Sequence, residues 1–170
     1  MRISGKISVR EARIPAELDI LRCLFREYQR ELNLPVCFSS FDKEVAGLPG
    51  SYILLLVAED GGTPVGCAAV QPLREDGCCE LKRFYLRPVA RGRGAGRQML
   101  DLAITLATAA GFSVMKLDTL PDTMPAAVAL YRSFGFVECD RYTDTPGALF
   151  LQRTLHPRPQ GDKKSSCFPS

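Results

Sequence analysis

The chain has 170 residues, the length of one domain with a single substantial core. Hydrophobic residues make up 46% and charged residues 24%, an ordinary balance for a globular protein, and a net charge of +3 is too small to imply nucleic acid by itself. The apolar run Tyr52-Ile-Leu-Leu-Leu-Val-Ala58 is strand length, far short of a membrane span.

The N-terminal Met1-Arg-Ile-Ser-Gly-Lys-Ile lacks the apolar core of a secretory signal. Ile7 to Arg13 alternates apolar and polar residues and predicts a first strand. Pro15 opens a helix with Leu18, Leu21, Leu24, Phe25, Tyr28 and Leu32 along one face, ended by Asn33-Leu-Pro35. Val36 to Gly50 is irregular, with a brief second helix at Phe41 to Ala46. Strands follow at Tyr52–Glu59 and Val65–Gln71, joined by the hairpin turn Asp60-Gly-Gly-Thr-Pro64. After the turn Arg74-Glu-Asp-Gly77 comes a strand at Cys79–Leu86. Arg97 to Ala110 is a helix, with Met99, Leu100, Ala103, Ile104 and Ala107 inward and Gly111 as its C-cap. Val114–Thr119 reads as a buried strand. A helix introduced by Pro121-Asp-Thr-Met-Pro125 runs to about Phe134. Gly135 to Tyr142 and Ala148 to Leu155 are two closing strands.

Residues 1–155 therefore form the domain. From 156 on, the chain has almost nothing to bury and is expected to be a disordered tail. Its end, Cys167-Phe-Pro-Ser170, superficially matches a prenylation box, but proline beside the terminal residue fits poorly, so a plain tail is expected. The seven cysteines are odd in number and hold no CxxC pair, which suggests reduced thiols and a cytoplasmic protein. The lone His156 lies in the tail, and no Cys/His/carboxylate cluster has ligand spacing, so no metal is expected.

The most informative stretch is Glu80 to Arg97, a strand followed by an arginine-studded glycine turn and a helix start. Gly92, Gly94 and Gly96 allow close approach of backbone to a ligand. The helix then points its free N–H groups and positive dipole end into the turn, and Arg91, Arg93 and Arg97 add charge. That combination describes a receptor for a phosphorylated, pyrophosphate-bearing cofactor. A Rossmann turn is a poor alternative, because five residues separate strand from first glycine and no βαβ half precedes it. No Gly-Lys-Ser/Thr exists for a Walker A site, and the basic cluster lacks the interleaved aromatics of a nucleic-acid surface.

The element order and two motifs resemble the GNAT superfamily of N-acetyltransferases. Arg91-Gly-Arg-Gly-Ala-Gly96 matches that family's [RQ]-x-x-G-x-[GA] loop, and Leu130-Tyr-Arg-Ser-Phe-Gly-Phe136 is similar to its closing helix-to-strand segment. The resemblance implies an α/β (α+β) fold: a mixed, mostly antiparallel sheet of six to seven strands, helices on both faces, and a V-shaped split between the fourth and fifth strands. It implies acetyl-CoA as co-substrate. The amides of Arg91, Gly92, Arg93, Gly94, Ala95, Gly96 and Arg97 would hold the pyrophosphate. The pantetheine arm would lie along Phe84, Tyr85 and Leu86, with the Leu86 N–H as oxyanion donor. Asp118 and Thr119 sit where the fifth strand would diverge. Many members carry an asparagine at the start of the last helix, and here Asp122, Thr123 or main chain near Met124 must serve instead.

Two catalytic residues follow from the same resemblance. Glu80 takes the position of the general base, and Tyr131 is placed to protonate or hydrogen-bond the departing sulfur. A carboxylate of ordinary basicity is about 6 pKa units, roughly 8 kcal/mol, too weak to strip an alkylammonium outright. The alternative is that Glu80 pairs with Lys82 or Arg83. No cysteine has an evident base beside it, so direct attack in a ternary complex is expected. The acceptor would be read by Phe38, Phe41 and Asp42 and by Arg141–Gly147. Lys82, Arg83 and Arg141 could bind a carboxylate, pointing to a small-molecule primary amine such as an amino acid. A lysine or N-terminal amine of a protein is the second reading, and a non-catalytic acyl-CoA-binding module the third. A homodimer is an open option.

Overall fold

The computed structural model describes residues 5–33 and 40–157. In chain order it contains β1 (Ile7–Glu11), α1 (Leu18–Leu32), α2 (Phe41–Ala46), β2 (Leu54–Asp60), β3 (Thr63–Pro72) and β4 (Cys78–Leu86). A 3₁₀ turn at Pro88–Ala90 follows, then α3 (Ala95–Ala109), β5 (Val114–Thr119), α4 (Pro125–Ser133), β6 (Val137–Glu138) and β7 (Leu149–Thr154). The strands make one sheet in the order β1-β2-β3-β4-β5-β7-β6. Every pairing is antiparallel except β4 with β5, which is parallel.

Strand alternation supplies a hydrophobic face on each side of the sheet. Leu56, Ala68, Val70, Cys79, Leu81, Met115, Leu117 and Leu151 face one way and pack with Met99, Leu100, Ala103 and Ala107 of α3. Leu55, Val57, Cys67, Ala69 and Tyr85 face the other way and pack with Leu21, Leu24 and Phe25 of α1 and Phe41 and Val45 of α2. The α1 face therefore closes one side of the sheet and α3 the other.

Two features open the middle of the sheet. First, β4 and β5 pair only at Cys78↔Val114, Cys79↔Met115 and Glu80↔Lys116. Beyond Glu80 the two strands part, so the edge of β4 from Leu81 to Leu86 has no neighbouring strand on that side. Second, the β3–β4 register shifts between Cys67↔Tyr85 and Ala69↔Lys82, placing Arg83 and Phe84 opposite Ala68 alone. This is a β-bulge, and Arg83 sits in it with φ +55°. The bulge resets the side-chain phase. Arg83 stays on the α1–α2 face beside Glu44, whereas Phe84 reaches Tyr131 of α4 on the other.

The helix expected from Pro15 begins at Leu18 instead. The Glu17 carboxylate accepts from the Arg13 N–H at 2.7 Å and from the Arg10 and Arg13 guanidinium groups, which holds residues 14–17 in a turn. The strand expected over Gly135–Tyr142 shrinks to Val137–Glu138, extended by one bond from Cys139 N–H to the Phe150 carbonyl. Past that point Tyr142, Thr143 and Thr145 turn their hydroxyls toward β4 and β5, and the chain leaves the sheet.

Candidate active site

The glycine turn leads into α3 in two steps. The Ala90 N–H donates to the Arg87 carbonyl and the Arg91 N–H to the Pro88 carbonyl, closing the 3₁₀ turn. The first helical bond then runs from the Gln98 N–H to the Gly94 carbonyl at 3.1 Å, so the amides ahead of Gln98 precede the helix's own acceptors. Gly92 and Gly94 have φ of +72° and +81°, a left-handed conformation that side chains adopt only under strain. Gly96 is closely packed: a Cβ there would lie 3.2 Å from Leu130 Cδ2, and that side chain would have to give way by a few tenths of an ångström. Ala95 is buried in the core beneath the turn.

The three arginines of this turn do different work. Arg93 points away from the cleft, donating to the Asp60 carboxylate at 2.6 Å and the Gly5 carbonyl at 2.9 Å. It ties the β2–β3 hairpin to the turn. Arg91 donates to the Leu86 carbonyl at 2.9 Å and to Glu31 of α1. Arg97 contacts Ser133 Oγ at 3.4 Å and lies 5.0 Å from the Phe134 ring centre, with no carboxylate partner among the described residues. Of the three arginines expected to carry charge toward a ligand, Arg91 and Arg97 line the cavity described next, and Arg93 is turned to Asp60.

From this turn a cavity of about 540 Å³ runs along the split. Phe84 and Leu86 form one wall, Thr123, Met124, Ala127 and Leu130 the other, and Tyr28 and Glu31 of α1 cover it. Backbone direction on the β4 wall follows from one bond. The Arg87 N–H donates to the Val65 carbonyl at 2.7 Å, so Leu86, one residue earlier, turns its N–H and C=O to the opposite edge. That edge is the open one. Tyr85 points its ring to Tyr28 and its hydroxyl to Glu27 on the α1 side. Thr119, at the end of β5, has its Oγ1 buried without a hydrogen-bond partner among the described residues.

A smaller chamber of about 100 Å³ adjoins this cavity and shares Tyr28, Leu32, Phe84 and Met124 with it. Leu81, Lys82, Arg83, Asp118, Thr119, Thr145 and Tyr131 bound it. The Tyr131 ring is clamped edge-on by Phe84 at 5.8 Å and tilted on Phe136 at 5.9 Å. Burial pushes its phenol well above the ordinary tyrosine range, with smaller pushes from Tyr28 and Asp118. The Tyr28 phenol is pushed up to about 12, again chiefly by burial. Asp118 Oδ2 accepts from Thr143 Oγ1 at 3.0 Å and from Thr145 Oγ1 at 2.7 Å.

Other expected site residues are placed elsewhere. Glu80 is 2% exposed and lies behind the chamber wall; it accepts from Gln71 Nε2 at 2.9 Å and from the Tyr142 hydroxyl at 3.1 Å. No Glu80–Lys82 or Glu80–Arg83 pair forms. Arg83 instead makes a bidentate pair with Glu44 at 2.8 and 2.9 Å and stacks 4.9 Å from the Phe41 ring centre. Phe41 itself is core, 1% exposed. Arg141 bonds the Thr143 carbonyl and Asp144 and does not reach the chamber. Phe38 lies outside the described residues. Lys82 is the one expected acceptor residue that lines the chamber without a hydrogen bond or ion pair among the described residues.

Residues 18–136 match the model of the acetyltransferase (GNAT) family. The chain belongs to that family. A GNAT-family chain of this kind has a relative in an uncharacterised N-acetyltransferase of Schizosaccharomyces pombe, 38% identical over 147 residues that cover 84% of this chain and 90% of the relative. Among solved structures, a GNAT-family acetyltransferase from Staphylococcus aureus Mu50 superposes with a TM-score of 0.72 at 20% identity, covering 89% of this chain and all of that one. A chain from Salmonella typhimurium, solved with its cofactor acetyl-CoA, superposes at 0.68 with 22% identity, covering 92% and 98%. At those identities the structures speak for the fold. The GNAT assignment makes the chain an acyltransferase. Sequence reasoning placed Asp118 only at the divergence of the fifth strand and passed over it as a chamber residue, and Tyr28 and Glu31 as cleft residues. Lys116 and Asp118 were the available signal, since two charged residues alternate with the buried Met115, Leu117 and Thr119 of one strand. Among the described residues no helix is long and apolar enough to cross a membrane, and no group of three or more His, Cys, Asp or Glu could hold a metal.

Proposed function

We propose that this chain transfers the acetyl group of acetyl-CoA to the primary amine of a small molecule, by direct attack within a ternary complex. The observation that carries the reading is a pair of adjoining cavities along the split between β4 and β5, one at the amides before α3 and the other bounded by Tyr131 and Asp118. The residues present fit the donor. Amides of the 92–97 turn and Arg97 suit a pyrophosphate. The outward-turned Leu86 N–H and the open β4 edge suit the amide-bearing pantetheine arm, which would add to the sheet as a strand does. Thr119 Oγ1, buried and unpartnered, would gain its missing partner there.

The donor supplies an activated acyl group, and the chain supplies placement and charge control. The Leu86 N–H faces the split and is the donor available to a carbonyl oxygen that turns anionic. Tyr131 keeps its proton because burial raises its phenol, so its role is to hydrogen-bond a departing sulfur, with solvent completing protonation. The small volume of the chamber, about 100 Å³ with Thr145 among its lining residues, supports a small acceptor group. Lys82 offers one unpaired positive charge to an acceptor that bears a carboxylate.

Calorimetric titration with acetyl-CoA, followed by thiol release across amino acids, polyamines, aminoglycosides and lysine- or N-terminal peptides, tests the reading. Saturable binding with turnover on a small amine is expected. Turnover on peptides alone would replace the acceptor, and absence of acetyl-CoA binding by folded protein would end the proposal.

A further inference from the structure

We infer that Asp118, rather than Glu80, is the carboxylate that meets the acceptor's amine nitrogen and takes its proton. The inference rests on the acetyltransferase reading above and adds to it the identity of the base. Glu80 cannot do this directly: it is 2% exposed, it does not line the chamber, and each of its oxygens is already held, one by Gln71 and one by Tyr142. Asp118 does line the chamber, on the β5 wall opposite Lys82 and beside Tyr131. Both of its hydrogen bonds, from Thr143 and Thr145, fall on Oδ2. Oδ1 therefore accepts nothing from the described residues.

The surroundings of Asp118 are consistent with a carboxylate that must receive a cation. Tyr28 from α1, Tyr131 from α4 and Tyr142 from the loop all feel its charge, each phenol being pushed up by burial first and in part by Asp118. These three stay neutral and uncharged near neutral pH. Of the two cations that line the chamber, Arg83 is held by Glu44, which leaves Lys82 without an ion pair among the described residues; Lys116 is held by Glu75 and Arg141 by Asp144. An alkylammonium entering here would find Asp118 Oδ1 as its counter-ion, and any carboxylate it carries would find Lys82. Glu80 belongs to the frame: through Tyr142 it fastens the loop whose Thr143 and Thr145 orient Asp118. It is a positioning residue.

The proton balance is as follows. A free carboxylate and an alkylammonium differ by about six pKa units, so transfer ahead of bond formation is disfavoured. The ammonium therefore first loses one proton to solvent, and the lone pair of that small neutral fraction forms the C–N bond to the thioester carbon; the nitrogen then carries positive charge and turns acidic, so transfer to a carboxylate is downhill. The N–H proton passes to Asp118 Oδ1, the C–S bond breaks with its electron pair on sulfur, and the thiolate takes a proton from solvent under the Tyr131 hydrogen bond. One ammonium and one thioester give one amide, one thiol and one proton, the one the ammonium loses to solvent; the proton that Asp118 takes up and later releases matches the one the thiolate gains.

The test compares Asp118→Asn with Glu80→Gln in the full chain. Asp118→Asn, which can still accept from both threonines, is expected to bind acetyl-CoA within about twofold of wild type while kcat at pH 7 falls about a hundredfold or more. Both rates should rise as the free amine accumulates, but above the amine's pKa the wild-type rate is expected to reach a plateau, whereas that of Asp118→Asn should keep rising as hydroxide takes the proton instead. Glu80→Gln should keep the wild-type pH profile even where its melting temperature drops. An Asp118→Asn rate within threefold of wild type from pH 6 to 10, or a Glu80→Gln profile that loses the plateau instead, would overturn the inference. If wild type binds acetyl-CoA but acetylates none of the amines, the transferase reading fails separately. Asp118 is then judged by binding of n-butylammonium and L-methionine to the CoA-loaded chain, followed by NMR: saturation in wild type lost in Asp118→Asn supports it, and equal binding or none in both overturns it.

Discussion

Tyr131 shows how a single side chain acquires a role from its setting. In the sequence it stands in a Leu-Tyr-x-x-Phe run that could be plain core, and by accessibility it is core, 4% exposed. Its ring is held between Phe84 and Phe136, yet it also lines the chamber, so the hydroxyl is the polar end of a buried ring. The raised phenol argues against full proton donation and for a hydrogen bond to sulfur as negative charge develops there. A hydrogen bond to a charged group contributes about 1.5–3 kcal/mol, so Tyr131→Phe should lower kcat by roughly ten- to hundredfold. The KM for acetyl-CoA should move less than about threefold, because the bond forms mainly in the transition state. Steady-state thiol release at saturating acceptor measures both, and an unchanged kcat would remove the hydroxyl from the mechanism.

At the scale of elements, the bulge in β4 does most to build the site, and it was the least legible feature. Nothing in Leu81-Lys-Arg-Phe-Tyr-Leu86 announces an extra residue, because alternation reads equally well with or without one. The cause lies elsewhere in the chain: Glu44 of the six-residue α2 pairs with Arg83 on the α1–α2 face, where Arg83 has φ +55°. The Arg83 side chain is only 12% exposed and Glu44 24%, and Phe41 packs beneath the guanidinium. Breaking one partner of such a pair strands the other in a poorly solvated position. Arg83→Ala should therefore cost about 2–4 kcal/mol of stability in urea unfolding, allowing for partial exposure. Glu44→Ala should cost a comparable amount, and the double mutant less than the sum. Equal additive losses would show that the pair does not act as a unit. Short β6 has the same kind of cause, since Glu80 and Asp118 draw the chain after Cys139 out of the sheet through contacts sixty-two and twenty-five to twenty-seven residues away.

Across the whole molecule, the order of elements and the glycine turn were legible because each is local: alternation, helical spacing and left-handed glycines are written within a few residues of where they act. The division of labour among charges was not. Arg91, Arg93 and Arg97 are equivalent in sequence, and only the folded positions of Glu31 and Asp60 separate them. The same holds for the stitching of the fold. Glu17 of the turn before α1 joins Arg10 of β1, Glu27 of α1 joins Arg87 after β4, and Asp60 joins Arg93 before α3. Hydrogen bonds from these arginines hold the Glu17, Glu27 and Asp60 carboxyls below their usual range, Glu17 far below it. Folded carboxyls with lowered pKa values bind protons later than the same groups in the unfolded chain. Where the unfolded chain binds more protons, stability rises with pH, so this contribution is complete above about pH 5. It is lost as pH falls through the unfolded carboxylate range near 4 and on toward the lower folded values. The urea midpoint should accordingly be flat from pH 8 to 5 and fall steeply between 5 and 3. Glu17→Gln should lower the midpoint at pH 7 and flatten the acid limb, because the strongest of these linked groups is gone. Circular dichroism melts in urea at pH 7, 5 and 3 measure both, and an acid limb equally steep in Glu17→Gln would show that other carboxyls set it.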